Sequence, residues 1–247
     1  MRGWMHCAAY VVAVALLAGF VVGMAEAKTQ ETPAVDPADF DSPQDNLYLP
    51  MSLGDTYVYL AENEDGLILN EITATFATKS ILGVDCTIVY DVEWVYVEDL
   101  DTWFFTEETY DWYAWDNCGN VWYFGEDTYE NIYDDDWNLI DVSTEGSWEA
   151  GEDGAEAGIL MLAAPVPGIA YQQEYYEDEA EDMAKVLKLN ASVSVEYGDF
   201  DECLVTKEWT GLEPGVIEHK YYAPGVGLVF IKELKGKTVE VELIDIY

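Results

Sequence analysis

The chain has 247 residues, ten Lys and Arg against fifty Asp and Glu, and a formal net charge of −40. Such a charge repels nucleic acid and anionic membrane surfaces and attracts cations. Half of the residues are hydrophobic, which excludes a disordered acidic chain.

Residues 1–27 have the layout of a signal peptide. Arg2 gives a positive start, residues 8–24 are almost wholly apolar, and Ala25-Glu-Ala27 places small residues two apart. No later stretch has the length to cross a membrane as a helix. The expected location is therefore exported, periplasmic or extracellular, with no membrane span after cleavage. Residues 28–45, with Pro33, Pro37 and Pro43, read as a flexible leader, and residues 46–247 as a single β domain.

From there the chain reads as strands in sequence. Residues 55–62 and 67–77 flank a Glu64-Asp-Gly66 turn. Residues 86–97 alternate most clearly. Cys86, Ile88, Tyr90, Val92, Trp94 and Tyr96 share one face, and Thr87, Asp91 and Glu93 the other. That period argues for an antiparallel sheet with its polar face toward water. Residues 103–115 and 121–125 form a hairpin around Asp116-Asn-Cys-Gly-Asn120, a tip of turn-forming residues. Residues 129–142 read as a further hairpin turning at Asp134-Asp-Asp136. Residues 150–169, rich in Gly, Ala and Pro, read as a long loop across one end. Strands follow at 170–176, 192–197, 200–209, 216–222, 226–234 and 237–246, with 183–189 a helical turn or a strand. About a dozen strands at this spacing point to a mainly β fold: a strongly curved antiparallel sheet, open barrel or sandwich.

Few catalytic arrangements survive. His219 is the one histidine beyond the leader, so zinc sites needing several histidines are excluded. No Gly-x-Ser-x-Gly elbow and no phosphate-binding loop occur. A carboxylate pair for glycoside hydrolysis has too many candidates to be chosen. Trp94, Trp103, Trp112, Trp115, Trp122 and Tyr123 are candidates to stack on a carbohydrate or line an apolar pocket, as well as natural sheet fillers. Asp116, Asn117, Asn120 and Asp127 offer oxygens for calcium or another divalent cation, although Cys118 breaks the pattern of an EF-hand loop. Of Cys86, Cys118 and Cys203, the expected disulfide joins Cys86 to Cys203, which lie in strand-like runs.

Three stretches carry a resemblance: Asp116 to Asp127 with Gly119-Asn-Val-Trp-Tyr-Phe-Gly-Glu-Asp127, Lys207-Glu-Trp-Thr-Gly-Leu-Glu-Pro-Gly215, and Lys220-Tyr-Tyr-Ala-Pro-Gly-Val-Gly-Leu-Val229. They resemble motifs of a family of secreted bacterial proteins that has no assigned activity. That family usually places a polar or acidic residue where this chain has Cys118. The C-terminal strands also resemble the curved sheets of periplasmic lipoprotein carriers, a likeness of fold alone. The reading is a non-enzymatic exported binding protein with an aromatic sheet face for an apolar or sugar-like ligand and acidic loops for cations. The alternatives are an acidic surface protein assembled with calcium and a carboxylate-dependent glycoside hydrolase.

Overall fold

The computed structural model describes residues 28–63, 66–234 and 239–247. The apolar segment read as a signal peptide lies outside them. Among the described residues, sixteen strands form one sheet. They are β1 (Lys28–Thr29), β2 (Thr56–Asn63), β3 (Gly66–Ile81), β4 (Val84–Val97), β5 (Thr102–Trp115), β6 (Val121–Tyr133), β7 (Leu139–Ser143) and β8 (Trp148–Glu149). The second half holds β9 (Glu156–Met161), β10 (Ile169–Gln172), β11 (Glu174–Tyr175), β12 (Asp182–Val195), β13 (Gly198–Thr210), β14 (Glu218–Ala223), β15 (Gly227–Glu233) and β16 (Glu240–Ile246).

The strand order is β1-β10-β12-β13-β14-β15-β16-β2-β3-β4-β5-β6-β9-β11, with β7 and β8 also on β6. Every pairing is antiparallel except β1 with β10. β10 and β11 belong to one run of chain, split by Gln173. β10 pairs with β12 at one end of the order and β11 with β9 at the other. This run brings the two ends of the sheet together, so the curved sheet is nearly closed into a barrel.

Closure depends on Gly158 in β9. A Cβ there would lie 2.2 Å from the Gln173 carbonyl oxygen. Only glycine lets the closing run approach so near. The same small side chains made residues 150–169 look like a loop, yet β9 is a strand whose Ala157, Gly158, Ile159 and Met161 are buried.

The register shows which face looks inward. One row across β2 to β6 is Tyr59, Asn70, Glu93, Glu107 and Glu130; the next is Tyr57, Ile72, Asp91, Thr109 and Thr128. A third row is Ala74, Val89, Asp111 and Glu126. Tyr57, Tyr59, Ala74, Val89, Thr109, Asp111 and Thr128 are all buried, so this is the interior. The alternation read from residues 86–97 holds, but Asp91 and Glu93 face into the barrel rather than outer water. Trp94 and Phe105 oppose each other on the other face, as do Tyr96 and Trp103.

Two apolar clusters fill the fold. One contains Cys86, Val89, Trp112, Trp122, Phe124 and Met161. The other contains Tyr57, Tyr59, Cys203, Val205 and Leu243. Cys86 and Cys203 therefore sit in separate clusters, and both are free thiols, as is the exposed Cys118. The expected Cys86–Cys203 disulfide does not form, because the sheet holds the two strands against different packing partners.

Candidate functional site

The tip of the β5–β6 hairpin is a clasp. Asp116 Oδ1 accepts from the Cys118 and Asn120 backbone N–H groups, and Oδ2 from Asn120 Nδ2 and Trp122 Nε1. These four donors hold the Asp116 carboxyl below its usual range despite burial. Asn117 Nδ2 donates to the Ala38 carbonyl, and Asn117 Oδ1 accepts from the Ser42 N–H. Asn120 Oδ1 accepts from the Ala163 N–H. Asp127 lies away from this turn, opposite Tyr110, and accepts from the Tyr129 hydroxyl. The four residues expected to ligate a cation thus do not converge. Three of them spend their oxygens on protein donors. Among the described residues no group of three or more His, Cys, Asp and Glu has the arrangement of a metal site.

The clasp fastens residues 36–46, all but the last of them in the stretch expected to be a flexible leader. A 3₁₀ turn at Pro37–Phe40 sets the Phe40 ring 5.8 Å from both Trp122 and Phe124, edge-on to each. Asn46, buried, donates to the Gly119 carbonyl at 2.7 Å. The leader's prolines and acids hid this docking, because its partners lie some 80 residues away in the chain.

The aromatic candidates divide among three places. Trp94 and Trp103 lie on the outer face, packed against Phe105 and Tyr96. Trp115 and Trp122 lie beneath the fastened arm, where Trp115 Nε1 donates to the Leu49 carbonyl. Trp112 lines a third feature, a cleft of about 360 Å³ beside β6 and β8, and Tyr123 packs behind it, edge-on to the lining Trp148 at 5.3 Å. Trp112, Trp148, Tyr176, Lys79, Glu126, Asp127, Glu149, Glu152 and Asp153 are among its lining residues. Lys79 Nζ lies 3.3 Å from the Trp112 ring centroid and 2.7 Å from Glu149 Oε2. An ammonium over an indole face is held by the ring quadrupole. Of the five acidic residues in this wall, four have no such ion pair among the described residues.

Behind the cleft the interior is acidic. Tyr123 Oη lies 2.6 Å from Asp111 Oδ1 and 2.8 Å from Glu126 Oε2. Burial, then the charges of Asp91 and Glu126, push Asp111 well above the ordinary carboxyl range. Burial lifts Glu126 to about 7, aided by Glu107 and Asp182. Glu174 reaches about 8 through burial, Asp182 and Glu126, with Trp148 and Lys220 opposing. Asp91 rises to about 7, chiefly by burial, although the Asn70 amide binds it. Lys220 on β14 answers this charge, 2.9 Å from Glu208 and 3.5 Å from Glu218. Tyr222 and Thr206 hydroxyls also donate to Glu208. His219, on the neighbouring strand position, pairs across to Lys207 and Lys232 and takes no part.

Sequence reasoning missed this acidic interior. Its signal was the alternation in β4 and β5, where Asp91, Glu93, Glu107, Thr109 and Asp111 recur every second residue. A polar face of that kind looks solvent-exposed until barrel closure turns it inward.

No protein-family model matches the chain, and no curated protein matches it. Among solved structures, a candidate exported protein with a YmcC-like fold from Bacteroides fragilis is similar at 13% identity and TM-score 0.42, covering 82% of this chain and 99% of that one. A candidate lipoprotein from Parabacteroides distasonis is similar at 11% identity and TM-score 0.40, over 83% and 100%. At that distance the likeness carries no functional content. Among the described residues no helix is long and apolar enough to cross a membrane.

Proposed function

We propose that this chain is an exported, non-enzymatic binding protein that takes a small ammonium-bearing molecule, of the size of an amino sugar, in the cleft beside β6 and β8. The observation that carries the reading is the cleft wall itself. Five acidic residues and one lysine line it, and that lysine's ammonium, paired with Glu149, already rests on the Trp112 ring. Cations held between aromatic faces and carboxylates gain both quadrupole and Coulomb attraction. The volume lies at the small end of ligand clefts. The leader read in residues 1–27 supports export. Hydrolysis by the neighbouring acids Asp111 and Glu126 is less favoured, because both acids must flank the scissile bond. Asp111 is 6% exposed behind Tyr123, and Glu126 alone of that pair lines the cleft.

Native mass spectrometry of protein purified from its own export compartment tests the proposal. A retained small cation is the expected result. A retained neutral lipid, or a ligand bound equally well after Glu126→Gln with Glu149→Gln, would oppose it.

A further inference from the structure

The contacts of Tyr123 contain one hydrogen too few. Its hydroxyl lies at hydrogen-bond distance from two carboxyl oxygens, 2.6 Å to Asp111 and 2.8 Å to Glu126. A phenol has one hydrogen to donate, and an ionised carboxylate only accepts. With both acids ionised, one of them would face the lone pairs of the phenol oxygen with no hydrogen between. A carboxyl O–H donating to Tyr123 Oη removes the conflict.

We infer that Asp111, Tyr123 and Glu126 share one proton beyond the phenol's own, and that a cation entering the cleft drives that proton into solvent. The second half rests on the cleft reading given above. Charged and titratable groups surround the triad from each packed strand. They are Asp91 on β4, Glu107 and Tyr113 on β5, Glu174 on β11 and Asp182 on β12, with Lys220 on β14 acting on Glu174, while Lys79 on β3 and Glu149 on β8, paired to each other, share the cleft wall with Glu126. Most are acids, so the surroundings favour retention of the proton. Asp111 is buried, whereas Glu126 lines the cleft and gives the proton its way out. A nearby positive charge lowers a carboxyl pKa by about 1–3, enough to reverse that preference near neutrality. In the step one carboxyl O–H bond breaks, the proton passes to buffer, and the carboxyl pair goes from one negative charge to two. The arriving cation offsets the added charge.

Two measurements test this separately. The infrared difference between the ligand-free protein and its Asp111→Asn, Glu126→Gln double variant should show a protonated carboxyl at neutral pH, the bands of Asp91 and Glu174 cancelling between the two. Choline is then titrated calorimetrically in buffers of different ionisation enthalpy, since its charge does not vary with pH. Release approaching one proton per choline is expected near neutrality. The apparent affinity should fall by up to about tenfold per pH unit as the medium becomes acid. Absence of that difference signal overturns the shared proton, whatever binds. Choline binding without proton release overturns the coupling. A carboxyl signal with no choline binding overturns the cleft reading and the coupling, while the shared proton stands.

Discussion

Lys79 Nζ sits 3.3 Å from the centre of the Trp112 ring. The two residues come from different strands, β3 and β5, and the contact sets the floor of the cleft. Trp112 is 5% exposed, so the ammonium covers the indole. Replacing Lys79 with Met keeps much of the stem and removes the charge. The expected loss is about 1 kcal/mol, from the ring contact and the partly exposed ion pair to Glu149 together. A fall of about 2–4 °C in Tm by calorimetry would agree, and an unchanged or raised Tm would not.

Stability should depend on pH in an unusual direction. Asp91 and Glu126 have folded values of about 7 and Glu174 of about 8, all above the ordinary carboxyl range. Raised folded values mean that the native state binds more protons than the unfolded one between those limits. Their contribution is full below about pH 4 and is lost as pH climbs through 7 to 8. Urea midpoints measured across this window should decline as the buffer becomes alkaline. A midpoint that rises over the same range contradicts the acidic interior.

The hairpin tip works as a clasp for the N-terminal arm. Asp116→Ala removes the acceptor of four donors, one of them the buried Trp122 indole. The expected cost is about 2–3 kcal/mol, seen in chemical unfolding. Residues 36–46 should also become more protease-sensitive. Any rise in Tm that calcium gives the wild-type protein should persist in Asp116→Asn, since the oxygens of Asp116 and Asn120 are already taken. A calcium-dependent rise that this variant loses would restore a cation role to the loop.

Barrel closure rests on close backbone approach at Gly158. Gly158→Ala puts a methyl group 2.2 Å from the Gln173 carbonyl. Backbone on both sides leaves little room to yield, so a loss of about 3 kcal/mol or more is expected. Hydrogen exchange should quicken in β9, β10 and β11 first. Uniform exchange across the sheet would argue that closure does not depend on this position.

Much of this fold was legible in the sequence because strands announce themselves by period. β2, β4, β5 and β13 lie close to where alternation placed them. β9 was hidden, since Ala157 and Gly158 carry none of the branched or aromatic bulk that marks a strand. Direction was hidden too. Alternation separates Trp94 from Glu93 but does not say which of them faces the inside of a closed sheet. The site suffered most from this. Aromatic residues were the natural candidates, and Trp112 and Tyr123 do adjoin the cleft. Trp94, Trp103, Trp115 and Trp122 are elsewhere. Lys79, Glu126 and Glu149 meet across β3, β6 and β8, a juxtaposition that only register creates. Cys86 and Cys203 failed as a pair for a similar reason: residues in comparable strands need not share a cluster.

The most direct test compares choline with dimethylbutanol, a neutral molecule of nearly the same shape, by calorimetric titration into the wild-type protein. The cleft is held to select for charge, so choline should bind and the neutral alcohol should not. Choline binding should weaken at least tenfold in the Glu126→Gln, Glu149→Gln variant, a change of about 1.4 kcal/mol. Equal binding of the two molecules, or none of either, would contradict a cation-binding cleft.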